Sequence, residues 1–306
     1  MSKILAVTGA TGPKSGSAFL KILIKENKAV EKLFPEGVRL LVRNVKKLNQ
    51  DYCEINNVKV YGGDLTNVDY LNDALKNVDT LVHIAGIQMT EKIVDAAVKN
   101  HVRRLILVHT TGIYSKYKEA GEGYRLIDEY TYRTCAKNNI VLSILRPTMI
   151  YGNVSDMNVV KFIEMVDKFP IMPVVNGARY KLQPVHYEDL AKAYYDVLMD
   201  EEKTADKDFI LSGGSEIMLR DMLSIIGEYL GKETRFISCP FPIAYFFAWC
   251  LYIISLKNFD YREKVQRLCE PRVYSYEDAA KTFGYCPRSF RDGVKAEVNE
   301  YIVKMR

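Results

Sequence analysis

The feature that most constrains the fold of this chain is a glycine-rich turn between a short apolar run and a helical pattern. Lys3–Thr8 (KILAVT) has the branched residues of a buried strand, and the turn that follows reads Thr8-Gly9-Ala10-Thr11-Gly12-Pro13-Lys14-Ser15-Gly16. Apolar residues then recur at helical spacing from Ser15 to Lys28. A strand, a glycine turn and a helix in this order are the context in which such a turn binds a dinucleotide pyrophosphate.

Each part of this turn has a separate expected task. Gly9 makes the tight turn, and Gly12 lets the backbone approach the pyrophosphate without a Cβ in the way. The helix that begins at Ser15 directs its unpaired N–H groups and its positive dipole end at the phosphate. The third glycine falls at position 16, so Ser15 occupies its usual place and slightly altered helix packing is expected. The predicted phosphate-binding residues are Gly9, Thr11, Gly12, Pro13, Lys14 and Ser15.

Short apolar runs and helical patterns alternate through the first half of the chain. We expect strands at Val38–Val42, Val58–Tyr61, Thr80–Ile84, Arg104–His109 and Val141–Leu145, and helices at Tyr70–Lys76, Thr90–Asn100 and Gly123–Lys137. Runs that are apolar on both faces suit a parallel sheet covered by helices on each side. The predicted fold class is therefore α/β, a Rossmann-type doubly wound parallel sheet with a small C-terminal substrate lobe. Residues 1–150 would form the dinucleotide-binding core, and residues 151–306 mainly the lobe, with some segments returning to the core in one compact unit.

The end of the second predicted strand indicates which dinucleotide is bound. An acidic residue there would accept from a ribose 2′-hydroxyl, whereas an arginine would pair with a 2′-phosphate. The strand ends Leu41-Val42-Arg43-Asn44, and Lys14 adds a second cation, which favours NADP while leaving NAD open. Asp64, beside Leu65, could accept from the adenine amino group or cap the next helix. Ala85 and Gly86 would form the floor below the nicotinamide ribose.

Composition excludes several classes of protein. A net charge of +5, with 43 basic and 38 acidic residues dispersed along the chain, gives no basic stripe for nucleic acid. Six widely spaced cysteines and four histidines without ligand spacing predict neither a zinc site nor a disulfide framework. The N-terminus lacks the apolar stretch of a secretory signal, so a cytoplasmic location is expected. The oligomeric state is left open.

One apolar segment, residues 237–256 (ISCPFPIAYFFAWCLYIISL), allows two interpretations. Pro240 and Pro242 interrupt its first third, which leaves a helical part too short to cross a bilayer easily. The favoured prediction is a buried or lid helix of the C-terminal region. The alternative is a surface that touches a membrane or a lipid-linked substrate.

Several motifs occur in a characteristic order: TGATG (8–12), GGDL (62–65), HIAG (83–86), HTTGIY (109–114), LRPTMIYG (145–152), QPVHYEDLAKA (183–193) and GYCPRSFRDGV (284–294). Together they resemble the extended or atypical short-chain dehydrogenase/reductase superfamily, in its NAD-dependent epimerase/dehydratase branch. The resemblance covers residues 3 to about 293. It implies a Rossmann core, a substrate lobe, and hydride transfer assisted by a Ser/Thr, a tyrosine and a lysine four residues after the tyrosine.

By this resemblance Thr110 and Thr111 both match the hydroxyl position, and Thr111 is the preferred candidate. The proton-transfer role falls to Tyr124, which could alternatively be a helix-face residue that packs on the core. The spacing of Tyr114 and Lys118 also fits the pair, but these residues follow the fifth strand directly, where the family has a structural tyrosine. Four residues after Tyr124 the chain has Asp128, which would raise the pKa of a nearby tyrosine, whereas a lysine would lower it. Arg125 or Lys118 could supply the missing cation.

Two functions follow from these features. The first is an NAD(P)-dependent oxidoreductase of the epimerase/dehydratase type, acting on a carbonyl or sugar-like small molecule. The second is a non-catalytic NADP-binding sensor or scaffold, which the altered tyrosine–lysine pair motivates.

Overall fold

The computed structural model describes residues 3–48, 50–117 and 119–305. The first half of the chain alternates strands and helices: β1 (Leu5–Thr8), α1 (Ser15–Lys25), α2 (Asn27–Leu33), β2 (Val38–Val42), β3 (Lys59–Gly62), α3 (Val68–Leu75), β4 (Thr80–His83), α4 (Thr90–Lys99), β5 (Arg104–Val108), α5 (Gly121–Lys137) and β6 (Val141–Pro147). Every strand predicted from the sequence is present, with boundaries that differ by up to two residues.

The second half is less regular. Its elements are β7 (Ile150–Tyr151), α6 (Val159–Lys168), β8 (Ile171–Val175), β9 (Lys181–Leu182), β10 (Val185–His186), α7 (Tyr187–Met199), α8 (Glu201–Thr204), β11 (Lys207–Leu211), β12 (Ile217–Met218), α9 (Leu219–Leu230), β13 (Arg235–Cys239), α10 (Phe241–Ile254), α11 (Arg262–Leu268), α12 (Glu277–Phe283) and α13 (Phe290–Met305). Three two-stranded sheets pair β10 with β7, β12 with β9, and β13 with β8.

A parallel sheet of seven strands forms the centre, in the order β11-β6-β5-β4-β1-β2-β3. Successive side chains of each strand point to opposite faces, so Leu5 and Val7 pack under α1 and α7, while Ala6 packs under the helices of the other face. The strand order reverses between β1 and β4, which is where ligands bind in open α/β sheets. This topology confirms the α/β Rossmann-type fold.

The sequence pattern gave α1 too long an extent. The helix ends at Lys25, and Glu26 leaves the helical conformation with φ −98° and ψ 24°. A separate helix starts at Asn27, whose side chain donates to the carbonyl of Glu54 and accepts from the amide of Asn56. Apolar spacing continues through this break, so periodicity alone does not reveal it.

Elements of the second half contribute to the core around α1 and also form a core of their own, in addition to the two cores on the faces of the central sheet. Strand β11 extends the central sheet, and Tyr194, Val197 and Phe209 join the core around α1. A third core is formed by α6, α9 and α13 with β8, where Ile163, Ile226 and Val294 are fully buried.

Helix α10 is not buried, which contradicts one of the two forms of the favoured prediction, a buried or lid helix. Ala248 is buried, but Phe247 is 61% exposed and Ile254 is 78% exposed. The physical reason is the shortness of its neighbour: α11 has seven residues and covers one side of α10. Pro240 and Pro242 lie at the start of the helix, where proline is tolerated. Within the described ranges, no helix combines the length and apolarity needed to cross a bilayer.

Candidate functional site

The glycine turn lies at the carboxyl end of β1, directly over the point where the strand order reverses. Gly9 has φ +77°, and a Cβ there would lie 2.8 Å from the amide nitrogen of Ala85 after β4. A Cβ on Gly16 would overlap the carbonyl oxygen of Gly9. Gly16 therefore provides the close approach between α1 and the turn, while Ser15 is buried beside the hydroxyl of Tyr194. This arrangement explains why the displaced third glycine is compatible with the fold.

A cavity of about 360 Å³ opens beside this turn. It brings together Gly9, Gly12, Pro13, Lys14 and Ser15 with Ala85, Gly86 and Tyr124 from the predicted set. The first turn of α1 contains no acidic side chain that would repel a phosphate. The residues present therefore fit the pyrophosphate and the nicotinamide ribose of a dinucleotide.

The remaining predicted cofactor residues lie outside that cavity, along the same edge of the sheet. Arg43 follows β2 and Asp64 follows β3, with 3.7 Å between the Nε and Oδ2 atoms. The Arg43 side chain is 87% exposed. Leu65 packs against the core, and Thr11 is half-buried in the turn. Arg43 and Asp64 therefore lie beyond the glycine turn, at the ends of the two strands that follow β1 in the sheet order.

Asp64 does not cap the following helix, which corrects one of its two interpretations. Its Oδ1 accepts from the amide and the hydroxyl of Thr66, both at 2.8 Å. These hydrogen bonds, with smaller contributions from Arg43 and Lys92, lower the pKa of the Asp64 carboxyl. The N-cap of α3 is Asn67, whose side chain accepts from the amides of Asp69 and Tyr70.

A histidine network fixes the floor of the cavity. The carbonyl of Gly86 can only accept, so His83 Nε2 donates to it at 3.0 Å. His83 Nδ1 then accepts from the Thr8 hydroxyl at 2.7 Å. Burial lowers the pKa of His83 to about 4, with the hydrogen bond to Gly86 opposing the shift. The neutral ring therefore ties β1, β4 and the Gly86 loop together.

A second cavity, of about 310 Å³, adjoins the first and shares the wall formed by Lys14, His109 and Thr110. Three cations line it: Lys14, Arg267 and Arg272. Of the described lining residues, none is acidic. Burial, followed by the charge of Arg267, lowers the pKa of Arg272 to about 10. Burial also lowers the pKa of Lys14, against the opposing charge of Asp156.

The guanidinium groups of this cavity are incompletely satisfied by the protein. The Nε atoms of Arg267 and Arg272 are buried and have no hydrogen-bond partner within the described structure. Glu270 lies nearby, but its carboxylate accepts from the Ser115 hydroxyl at 2.6 Å and from the Lys116 amide at 2.7 Å. Because three cations and no acidic residue are among its described lining, the cavity can attract an anionic group.

The two threonines that follow β5 make different contacts. Thr111 is buried at the wall of the second cavity, but its hydroxyl donates to the Pro147 carbonyl at 3.1 Å. Thr110 lines both cavities, and its hydroxyl accepts from the Gly112 amide at 3.0 Å. That contact uses an oxygen lone pair and leaves the Thr110 proton directed elsewhere. Thr110 is therefore the threonine at the junction of the cavities.

Tyr124 lies in the first turn of α5 and lines the cofactor-side cavity. Its hydroxyl receives a hydrogen bond from Gln88 Nε2 at 3.3 Å. Arg125, one of the two cations considered for this tyrosine, donates to the Ile113 carbonyl at 2.8 Å. Lys118, the other one, lies outside the described residues.

Asp128, four residues after Tyr124, belongs to a buried charge network. Its carboxylate bonds Arg146 at 2.7 Å and His109 Nδ1 at 2.6 Å. Burial alone would raise the pKa of this carboxyl, but the hydrogen bond from His109 and the charge of Arg146 lower it overall. Arg146 also bonds Asp208 at 2.6 Å and Tyr132 at 2.9 Å. The charge of Asp128 is thus compensated inside the core.

Sequence reasoning missed four residues of the site, Gln88, His109, Arg267 and Arg272, and it preferred Thr111 to the neighbouring Thr110. His109 ends a predicted strand, so its position at the carboxyl edge gave a usable signal. Arg267 and Arg272 come from α11 and the loop after it, and no spacing in the sequence brings them to β5.

Comparison with known proteins identifies the family of the chain. The model of the NmrA-like family matches residues 1–248. A mitochondrial subunit of NADH dehydrogenase, alpha subcomplex subunit 9 of Arabidopsis thaliana, is 28% identical over 102 residues, which are 33% of this chain and 25% of that protein. The 2-alkyl-3-oxoalkanoate reductase of Stenotrophomonas maltophilia is 22% identical over 242 residues, 70% of this chain and 73% of the reductase.

These matches differ in extent. The chain spans a quarter of the length of the NADH dehydrogenase subunit and half that of the UDP-glucose 4-epimerase of Rickettsia akari. Among solved structures, that of gox2253 superposes with a TM-score of 0.76 at 21% identity, over 100% of this chain and 99% of the other. The dTDP-glucose 4,6-dehydratase DesIV of Streptomyces venezuelae was solved with NAD and TYD. Its structure superposes with a TM-score of 0.71 at 18% identity, over 98% of this chain and 97% of the dehydratase.

The structural matches concern the fold, and the family match covers most of the chain. Both agree with the order of motifs and with the seven-stranded sheet. The chain therefore belongs to the NmrA-like family and has the fold of the extended short-chain dehydrogenase/reductases.

Proposed function

We propose that this chain is an NAD(P)-dependent oxidoreductase that acts on a small carbonyl or sugar-like substrate bearing an anionic group. The observation that carries the proposal is the pair of adjoining cavities at one sheet edge. One is built on the glycine turn, and the other is lined by Lys14, Arg267 and Arg272. A dinucleotide in the first would present its nicotinamide towards the second.

The cofactor part of the proposal rests on the turn and on the distal edge of the sheet. Gly9, Gly12 and the start of α1 would hold the pyrophosphate, and Ala85 and Gly86 would lie below the nicotinamide ribose. Arg43 is highly exposed and only loosely paired with Asp64, so it is accessible to a 2′-phosphate. This favours NADP over NAD.

The reaction would use groups at the junction of the cavities. The nicotinamide supplies or accepts the hydride. Thr110 would donate a hydrogen bond to the substrate oxygen, and Tyr124 would exchange the proton that accompanies the change between carbonyl and alcohol. Gln88 orients the Tyr124 hydroxyl. Arg267 and Arg272, which line the second cavity, would hold the anionic end of the substrate by their positive charge.

Calorimetric titration tests the cofactor assignment. The wild type, Arg43→Ala and the control Lys46→Ala, which changes another exposed cation after β2, would each be titrated with NADP⁺ and NAD⁺. We expect Arg43→Ala to weaken NADP⁺ binding about tenfold without affecting NAD⁺, because a charge-assisted contact is lost. Equal losses for both cofactors, or no binding by the wild type, would contradict the assignment.

NADPH oxidation tests the catalytic assignment. Aldehydes and ketones would be offered in pairs that differ by one phosphate or carboxylate group. Thr110→Val and Tyr124→Phe should lower turnover while cofactor affinity is retained, and Arg272→Gln should raise KM for the anionic member of a pair. These roles would be contradicted if the wild type used the anionic and the neutral member of each pair equally well. Full turnover by Tyr124→Phe would also contradict them.

One observation favours a second function, a non-catalytic NADP-binding sensor or scaffold. The position where the superfamily has its lysine carries Asp128, which is committed to Arg146 and His109. Under this function the wild type would bind NADP⁺ and leave its redox state unchanged with every substrate pair. Any substrate-dependent oxidation of bound NADPH that Thr110→Val reduces would exclude it.

A further inference from the structure

Helix α10 presents an extended apolar surface. Ile243, Phe246, Phe247, Trp249, Leu251 and Ile254 are all exposed. The surface continues past the helix into Leu256 and Phe259, which are also exposed. No charged residue occurs between Arg235 and Lys257. Exposed apolar patches of this kind mark a surface that another phase or molecule covers.

The angular extent of this surface indicates what covers it. At about 100° per residue, the exposed side chains from Trp249 round to Leu251 span about 200° of the helix circumference. The opposite side faces the protein through Ala248 and Tyr252, whose ring lies 4.0 Å from the guanidinium carbon of Arg262 in α11. A protein partner that packs on a helix covers one face, as the stripe of an amphipathic helix shows. A bilayer covers the whole protruding arc.

The length of α10 restricts how it can enter a bilayer. Its 14 residues correspond to about 21 Å, whereas the hydrocarbon core is about 30 Å thick. The helix therefore suits an in-plane position within one leaflet, at the level where aromatic rings are enriched.

Charge beside the arc identifies the kind of membrane. Lys257 follows the helix and Lys264 lies on α11, and both are exposed. Neither is ion-paired to an acidic side chain of the described chain, whereas the acidic residues between them, Asp260 and Glu263, pair with Arg262 and Arg267. The segment next to the apolar arc thus has unneutralised positive charge, which complements anionic headgroups.

We propose that α10 is a membrane-docking helix that lies in the interface of bilayers containing anionic lipid. Its apolar arc is immersed, and Lys257 and Lys264 lie at the headgroup level. This surface is separate from both cavities, and the proposal holds whether or not the protein is an enzyme.

Trp249 gives a direct test because it is the chain's single tryptophan and lies in the arc. Its emission would be followed while phosphatidylcholine vesicles are added to the full chain. One set of vesicles would contain about 30 mole per cent phosphatidylserine, and the other set would contain none. Immersion should shift the emission to shorter wavelength with the anionic vesicles, and added salt should weaken the response. An emission spectrum that is unchanged by anionic vesicles would overturn the proposal.

Co-sedimentation with the same vesicles supplies the matched variants. Phe247→Glu/Ile254→Glu should reduce binding about tenfold or more, whereas Val68→Glu/Val303→Glu, which alters exposed apolar residues on α3 and α13, should not. Lys257→Gln/Lys264→Gln should remove the preference for anionic vesicles. Circular dichroism would establish that each variant is folded. Equal vesicle binding by the Phe247/Ile254 and Val68/Val303 variants would overturn the proposal, because the arc would then not be the membrane contact. A wild-type chain that binds no vesicles and dimerises as its concentration rises would also overturn it and would favour a second copy as the occupant.

Discussion

At the residue scale, Gly16 has an importance that its displaced position conceals. The usual third glycine position holds Ser15, yet the close contact with the Gly9 carbonyl is made at position 16. The spacing of the glycines in the sequence therefore does not by itself show which residue of α1 contacts the backbone of the turn. Spacing predicts the turn, and the packing of α1 decides which glycine is indispensable.

Gly16→Ala should displace the start of α1 from the turn, because the added methyl group would overlap a backbone atom that cannot move independently. We expect a lower melting temperature and loss of NADP⁺ binding by calorimetry. Gly123→Ala is the matched control, since a Cβ there meets nothing within 4 Å inside α5. It should be neutral or stabilise by about 0.5–1 kcal/mol. Similar effects of the two substitutions would contradict this account of Gly16.

Asp128 and Arg146 also belong to the residue scale. Removing one partner of a buried ion pair costs about 3–5 kcal/mol, because the other charge is left uncompensated. We expect losses of this order in the free energy of unfolding for Asp128→Asn and Arg146→Met, measured in urea. The double variant should lose less than the sum of the two. Strict additivity would show that the pair is not coupled.

At the element scale, α13 brings a buried carboxyl into the lobe. Glu297 accepts from the Gly152 amide at 2.7 Å, and burial, reinforced by the neighbouring Asp156, raises its pKa to about 9. Glu297 is therefore protonated near neutral pH. The folded protein binds more protons than the unfolded chain between the ordinary value of 4.5 and about 9.

The sign of the resulting pH dependence follows from this difference. A raised folded-state pKa makes the Glu297 contribution decrease as pH rises through that window. Glu297→Gln should thus flatten the fall in melting temperature between about pH 6 and pH 9. Glu129→Gln, at an exposed position on α5, is the control and should follow the wild type. An unchanged slope in Glu297→Gln would contradict the assigned protonation state.

How far the sequence predicts each element depends on where its partners come from. β2 was predicted to the residue, because an apolar run bounded by polar turns is a local signal. The sequence of α10 does not distinguish a buried helix from an exposed one, because hydrophobicity alone does not report that α11 is short. The cationic cavity was missed because Arg267 and Arg272 approach β5 only through tertiary packing. Thr110 and Thr111 are adjacent and chemically alike, so their roles depend on the position of the Pro147 carbonyl.

At the scale of the whole molecule, the Rossmann core depends on the second half of the chain. β11 pairs with β6, and α7 covers α1 through Tyr194 and Val197. A fragment of residues 1–150 would expose the faces that these elements bury. We expect it to bind a hydrophobic dye and to unfold without a cooperative transition. Cooperative unfolding of that fragment, with NADP⁺ affinity equal to that of the full chain, would contradict this dependence.

Helix α11 links two surfaces that otherwise share nothing. It packs on α10 through Arg262 and supplies Arg267 to the cationic cavity. Substitutions inside α11 should therefore change vesicle affinity and anion affinity in a correlated way, whereas substitutions in the arc of α10 should change the first alone. For protein engineering this means that a change in α11 alters lipid preference and ligand charge preference together. Changes outside α11 can alter either preference separately.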